Sequence, residues 1–285
     1  LFELQTGSDI RGGAMGAPGG PAWSLTPKTA GKIGAAFALW LGKKLSVKPC
    51  ALSVGVGTDS RETAGSLSAE ILRSIAAHGA KAYGCGMCST PAMFMGTQYS
   101  GSGFDGSIMV TASHLPRERN GMKFFTNDGG LDKDDIRAIL EIAAELPPDP
   151  ADTGATISGG ASTQPIQSFD LMALYTESLR GIIRRELGTG EKPLAGLHIV
   201  VDAGNGAGGF FATSVLQPLG ADCSGSVFLE PDGTFPNHMP NPENAEAMAS
   251  ICNAVLSSKA DLGIIFDTDV DRMSAVLSDG SQVNR

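Results

Sequence analysis

No stretch of the 285-residue chain approaches the roughly 20 consecutive apolar residues a membrane-crossing helix needs, so no such helix is expected. Positive charge is in deficit: 21 Lys and Arg stand against 30 Asp and Glu, a net charge of −9. That balance argues against nucleic acids or anionic membranes as partners. Cysteine is scarce and odd in number, five in all, which suits a reducing compartment better than a disulfide framework. Cys85-Gly86-Met87-Cys88 is one C-x-x-C, but Cys223 and Cys252 are isolated and no second pair completes a zinc site. The pair is read as small buried residues in a loop before Thr90-Pro91. The glycine-rich turn Asp202 to Gly209 follows a strand, yet it lacks the full dinucleotide spacing and an acidic residue placed for a ribose. It is read as tight strand-to-helix packing. No secretory signal is visible, and Leu1 is read as lying partway through a longer protein. The expected compartment is the cytoplasm, or a plastid if a transit peptide preceded Leu1.

The most informative feature present is Asp267-Thr268-Asp269-Val270-Asp271-Arg272, which follows the apolar run Leu262-Gly263-Ile264-Ile265-Phe266. Carboxylates at i, i+2 and i+4 in extended chain fall on one side. Crowded together they repel unless a hard divalent cation neutralises them, and oxygen-only ligands favour magnesium. Arg272 adds a fixed cation suited to phosphate oxygens. The plainer reading is a solvated acidic loop at a strand end.

A second stretch, Thr111-Ala112-Ser113-His114-Leu115-Pro116, follows the predicted strand Ser107 to Val110. Ser113 then sits at a strand's carboxyl end, where open α/β sheets bind ligands. A serine hydroxyl is a weak nucleophile and needs a base or a metal. Lys123, between Gly121-Met122 and Phe124-Phe125, is expected to be partly desolvated, with its pKa lowered toward a general acid/base range. Alone, the serine reads as a turn residue and the lysine as a snorkelling strand residue. Their co-occurrence with the aspartates favours a phosphoryl-carrying serine served by a metal cage.

Four stretches in this order resemble the α-D-phosphohexomutase family: Gly7 to Gly12, Thr111 to Pro116 with Asn120 to Lys123, Gly233 to Pro242, and Asp267 to Arg272; Gly57 to Arg61 also fits. The resemblance implies two tandem, similar three-layer α/β domains with mixed, mostly parallel sheets, the family's third and fourth domains being absent from this chain. It implies that Ser113 is phosphorylated and passes its phosphoryl group between hexose 1-phosphate and hexose 6-phosphate through a hexose 1,6-bisphosphate, which also acts as activator. Lys123 would be the general acid/base and His114 would join Ser113, Lys123 and Arg11 as catalytic residues. Arg11 and Arg272 would border the transferred phosphate, and Asp267, Asp269 and Asp271 would hold Mg2+ with the serine phosphate. The loops that choose among glucose, mannose and glucosamine phosphates would lie outside this chain, so the fragment may not turn over by itself, and no oligomeric state is implied. In many family members the metal loop is Asp-Gly-Asp-Gly-Asp-Arg; Thr268 and Val270 replace its glycines. A β-branched residue resists the φ > 0 that glycine allows. Leu115 replaces a frequent asparagine.

The length suits two domains. One βαβ unit is expected from the strand Leu52–Val56 through a helix at Ser66–His78 to a strand near Lys81–Tyr83. Another runs from the strand Leu197–Val201 through a helix ending at Gly220-Ala221 to a further strand. Pro147-Pro148-Asp149-Pro150 and the Gly/Ser/Thr-rich stretch to Gln164-Pro165 read as a linker, dividing residues 1–165 from 166–285. Helices are also expected after Thr26-Pro27, after Asp132, and over Phe169 to Ile183. His238 is read as a loop residue rather than a metal ligand.

Two other classes fit part of this pattern. An aspartyl phosphatase of the haloacid-dehalogenase type shares the strand followed by D-x-D-x-V, with Asp267 as nucleophile, but leaves Ser113 and Lys123 unexplained. A non-catalytic phosphosugar-binding protein would retain the serine and the metal without turnover.

Overall fold

A computed structural model describes residues 1–16, 22–147, 164–188 and 190–283, so most of the expected linker lies outside the described residues. The first sheet contains β1 (Gln5–Thr6), β2 (Asp9–Gly13), β3 (Ser53–Thr58), β4 (Lys81–Met87), β5 (Gly106–Val110), β6 (Arg119–Thr126), β7 (Gly129–Gly130) and β8 (Ile166–Ser168). Their order is β1-β2-β6-β5-β3-β4-β8, with β7 beside β6. Strands β5, β3, β4 and β8 run parallel, whereas β6 pairs antiparallel with β5 and β2. Side-chain alternation divides the layers: Ile108 and Val110 face the cluster built by the helices α1 (Pro27–Leu45), α2 (Ala64–Ala77) and α4 (Lys133–Glu145). Met109 faces the opposite cluster, with α3 (Thr90–Met95) and Leu171. Because β8 belongs to this sheet, the sheet reaches past residue 165.

The helix starts follow their local chemistry. Thr26 Oγ1 accepts from the Thr29 N–H at 3.1 Å, with Pro27 at the first helical position. Asp132 and Asp135 form a reciprocal capping box at α4. Helix α5 (Leu171–Leu187) buries Leu171 in the first unit, while Leu179 and Ile183 pack on the second.

The second sheet has the order β11-β10-β9, from β9 (Ile199–Asp202), β10 (Leu262–Phe266) and β11 (Met273–Leu277), with β9 parallel and β11 antiparallel to β10. α6 (Ala245–Ser258) covers one face. The expected second βαβ unit is only partly regular. Its helix is a π-helical turn, Phe211–Leu216, followed by a 3-10 turn at Gln217–Leu219 containing Pro218, which has no N–H to continue the ladder. The strand expected after Gly220 is reduced to isolated bridges at Asp222 and Val227. There the Val201 N–H donates to Ser226 Oγ at 2.9 Å, so a side chain takes a place that a strand carbonyl would hold.

His238 is buried against Asp202, its Nε2 lying 3.0 Å from Oδ2, and Ser250 Oγ donates to the same oxygen at 2.6 Å. Burial lowers the His238 pKa, but the hydrogen bond and charge of Asp202 outweigh it and leave the pKa above its ordinary 6.5. A raised folded-state pKa stabilises fully below 6.5, and that contribution is lost as pH rises through the folded value. Urea unfolding free energies should therefore fall more steeply above neutrality in the wild type than in His238→Asn. Parallel pH profiles for the two proteins would contradict this.

No helix among the described residues is long and apolar enough to cross a membrane.

Candidate active site

Beyond β10 the chain does not stay extended. Asp267 Oδ1 accepts the N–H groups of Asp271 and Arg272, each at 3.1 Å, and closes residues 267–272 into a tight turn. The three carboxylates still converge, with ligand oxygens within 4.8 Å of one another, but folding of the turn brings them together rather than strand alternation. Val270 adopts φ +66°, the left-handed region expected to be resisted by a β-branched side chain. That conformation costs about 1–2 kcal/mol, and the hydrogen bonds to Asp267 hold it. Thr268 does not share it.

Asp267 and Asp269 are fully buried, and Asp269 Oδ1 has no hydrogen-bond partner among the described residues. Lys123 Nζ lies 2.8 Å from Asp269 Oδ2 and 2.5 Å from Asp271 Oδ2. Arg272 Nη2 lies 2.9 Å from Asp267 Oδ2. Burial, followed by the charges of Asp269 and Asp271, raises the Asp267 pKa to about 7 against the pull of Ser113 and Arg272. Burial also pushes Asp269 upward, but the charge and hydrogen bond of Lys123 win and leave it below the usual range. An orphaned buried carboxylate oxygen, a neighbouring acid that resists ionisation and an all-oxygen donor set fit a hard divalent cation at Asp267, Asp269 and Asp271.

The expectation for Lys123 is corrected in sign. Burial does lower its pKa, yet Asp269 and Asp271 raise it further, so the amine stays protonated. A lysine touching two carboxylates gains more from their charge than it loses in desolvation.

Ser113 lies beyond the carboxyl end of β5 with φ +53°. Its N–H donates to Thr111 Oγ1 at 2.8 Å. Its hydroxyl donates to Asp267 Oδ2 at 2.8 Å and accepts from Arg272 Nη2 at 3.0 Å, so the serine and aspartate loops meet across the two sheets. His114 Nδ1 is 3.4 Å from Ser113 Oγ and accepts from Arg272 Nη2. Burial and the cations Arg272 and Arg11 lower the His114 pKa, which favours a neutral ring. Arg11, on β2, donates to Asp9 Oδ2 at 2.6 Å and to the Thr111 carbonyl at 3.2 Å, with no hydrogen bond to Ser113. Gly121 permits this approach: a β-carbon there would sit 2.3 Å from the Ile10 carbonyl oxygen and 2.7 Å from that of Thr111.

Three contacts were invisible in the residue pattern. The Thr90 N–H donates to the Asp269 carbonyl at 2.8 Å and its hydroxyl donates to Asp269 Oδ2, though Thr90-Pro91 reads locally only as a helix start. Asp59 and Arg61 form a wholly buried ion pair beneath the serine loop. Their signal was the Gly57 to Arg61 stretch, which by itself specified no partner. Cys85 lies in β4 rather than in a loop, and Cys88 Sγ contacts the Cys85 carbonyl at 3.5 Å; both thiols are free and buried.

The glycine-rich turn packs directly beneath the acidic turn, with the Ala207 N–H donating to the Thr268 carbonyl at 2.8 Å. A β-carbon on Gly206 would lie 2.8 Å from Thr268 Cα and O, both main-chain atoms. Gly206→Ala should destabilise the protein by about 1–3 kcal/mol through overpacking, and should weaken magnesium binding. Unchanged denaturant midpoint and magnesium titration would refute that support role.

Comparison with known proteins agrees along both units. Residues 4–148 match the family model described as phosphoglucomutase/phosphomannomutase, alpha/beta/alpha domain I, and residues 173–280 match domain II of the same family. The chain is 32% identical over 277 residues to a phosphoglucosamine mutase of Shouchella clausii, covering 95% of this chain and 56% of that protein. It is 29% identical over 260 residues to a phosphoglucomutase of Neisseria meningitidis, covering 90% of this chain and 51% of the relative. A solved phosphoglucomutase/phosphomannomutase family protein from Burkholderia thailandensis superposes with a TM-score of 0.77 at 26% identity, over 97% of this chain and 55% of that one. The chain thus spans about half the length of the curated relatives it matches.

Proposed function

The chain belongs to the phosphoglucomutase/phosphomannomutase family, and from that membership we propose that it supplies the phosphoryl-transfer centre of an enzyme interconverting hexose 1-phosphate and hexose 6-phosphate. The observation that carries this reading is Ser113 Oγ, bonded to Asp267 at 2.8 Å and to Arg272 at 3.0 Å. Two loops 154 residues apart in sequence converge on one hydroxyl. In this reading residues up to about 165 form the serine-loop domain and the remainder the metal-loop domain.

Ser113 is the phosphoryl carrier, primed by a hexose 1,6-bisphosphate and returned to its phosphorylated form when the bisphosphate intermediate re-donates. Its left-handed backbone presents Oγ to the second domain. Arg272 offers a guanidinium to phosphate oxygens, and neutral His114 holds that guanidinium from behind. Arg11 lies at the serine loop's base, bonded to Thr111, as a further cation beside the phosphate. Lys123, protonated and buried, donates a proton at Nζ to a departing sugar oxygen and takes one from an attacking hydroxyl. Asp267, Asp269 and Asp271 would hold Mg2+ with the serine phosphate, where the ion would offset charge on the transferred phosphoryl group. Glucose, mannose and glucosamine phosphates all remain within this reading, since relatives of more than one specificity match.

The test uses α-glucose 1,6-bisphosphate labelled in its phosphates. Incubation with the purified protein should leave one acid-stable, base-labile phosphoryl group per chain, mapped to Ser113 by mass spectrometry. A hydroxylamine-sensitive label on Asp267 would replace the mutase reading with the aspartyl phosphatase.

A further inference from the structure

We propose that Arg61 is a positioning residue that sets the backbone geometry of Ser113 and registers the serine loop against the second domain. The proposal rests on Ser113 being the phosphoryl carrier.

The guanidinium is wholly buried and its donors are spent on one loop. Nη1 donates to the carbonyls of Pro116 and Arg119, each at 2.9 Å, and Nη2 donates to those of Leu115, at 2.7 Å, and Ser113. Nε lies 3.3 Å from Asp59 Oδ2. The same oxygen accepts from Thr111 Oγ1 at 2.7 Å, and Thr111 Oγ1 in turn accepts the Ser113 N–H at 2.8 Å. Arg61 thus reaches both main-chain polar groups of Ser113: its carbonyl directly, its N–H through Asp59 and Thr111. A non-glycine residue at φ +53° is held there only if its surroundings over-determine it. This network does so.

The other side of Arg61 faces the second domain. The Phe235 ring centroid lies 5.4 Å from Cζ, within cation–π range. The turn bearing it packs main chain to main chain on the first domain: a β-carbon on Gly233 would sit 2.5 Å from Ser60 O and Glu62 N. One side chain therefore links the carrier loop to the domain that holds the acidic turn. Neither Arg61 nor Asp59 touches Ser113 Oγ. Their influence is on where that oxygen stands.

A planar fork serving four carbonyls cannot be reproduced by an ammonium with three donors. A misplacement of about 1 Å at a reacting atom is worth roughly a hundredfold in rate. Labelling of the protein by α-glucose 1,6-bisphosphate should therefore slow about a hundredfold in Arg61→Lys at saturating bisphosphate, per folded molecule counted by near-ultraviolet circular dichroism. The half-saturating bisphosphate and the magnesium dissociation constant should stay within about threefold, because no binding contact is removed. Arg61→Ala should recover at least about tenfold in millimolar guanidinium, which restores the missing donors. A role confined to stability would lower the folded fraction and leave the rate per folded molecule intact. Phe235→Leu keeps Arg61 and the apolar contact but loses the ring face, and should slow labelling about fivefold.

Labelling in Arg61→Lys within about threefold of wild type overturns the proposal. Should that variant fail to fold, Phe235→Leu with a native spectrum and an unchanged rate overturns it instead. Label persisting in Ser113→Ala would overturn the carrier assignment itself, and the wild-type phosphorylation map would already show it, so the two failures are distinct.

Discussion

Ser113→Ala is expected to lose phosphoryl uptake from a hexose bisphosphate and mutase turnover together, by about 10⁴-fold or more, as for removal of other enzymic nucleophiles. The fold should survive. The lost hydroxyl makes one hydrogen bond to Asp267 and accepts one from Arg272, a net contribution of about 1 kcal/mol each. The variant also has a secondary signature. Ser113 is among the groups that hold the Asp267 pKa down, so alanine should push it above about 7. Protons then compete harder with magnesium at near-neutral pH, and apparent magnesium affinity should weaken most below pH 7. Both effects can be read by isothermal titration and intact-protein mass. Full phosphoryl uptake by the variant would remove Ser113 from its role.

Lys123→Met should have the next largest effect, and in two opposite directions. The ammonium, buried in contact with Asp269 and Asp271, is the main reason Asp269 ionises at ordinary pH. Breaking a buried ion pair by removing one partner costs about 3–5 kcal/mol, so the metal-free variant should be markedly less stable. Magnesium should then bind more tightly than to wild type, since the ion no longer shares the carboxylates with an ammonium. Saturating magnesium should accordingly close most of the stability gap in thermal melts. Turnover should nevertheless fall by about 10²–10⁴-fold with the loss of the proton donor. A variant whose stability gap is untouched by magnesium would show that lysine and metal do not share these oxygens. One that keeps wild-type turnover would remove the acid/base role.

Much of the architecture was legible in local pattern. The helix at Pro27–Leu45 starts where Thr26-Pro27 predicts, Asp132 caps α4, and Ser113 lies beyond the end of a strand. These features depend on residues a few positions apart, so covalent geometry and short-range hydrogen bonding suffice to specify them. The second βαβ unit was less legible. Its helix became a π-helical turn and its last strand dissolved into bridges, because Pro218 and the Ser226 hydroxyl changed the local hydrogen bonding.

The same division runs through the site. Three aspartates, a serine after a strand and a lysine among aromatics identified which groups were present, since side-chain chemistry belongs to the residue. Which groups touch was set by the packing of two sheets: Thr90 meets Asp269 across 179 residues, and Lys123 meets it across 146. Protonation followed from those meetings. Desolvation and charge act with opposite sign on a buried lysine, and the result depends on distances of a few ångströms that no spacing in the chain encodes. Hence Lys123 was identifiable from its neighbours in sequence, while the direction of its pKa shift came only from its neighbours in space.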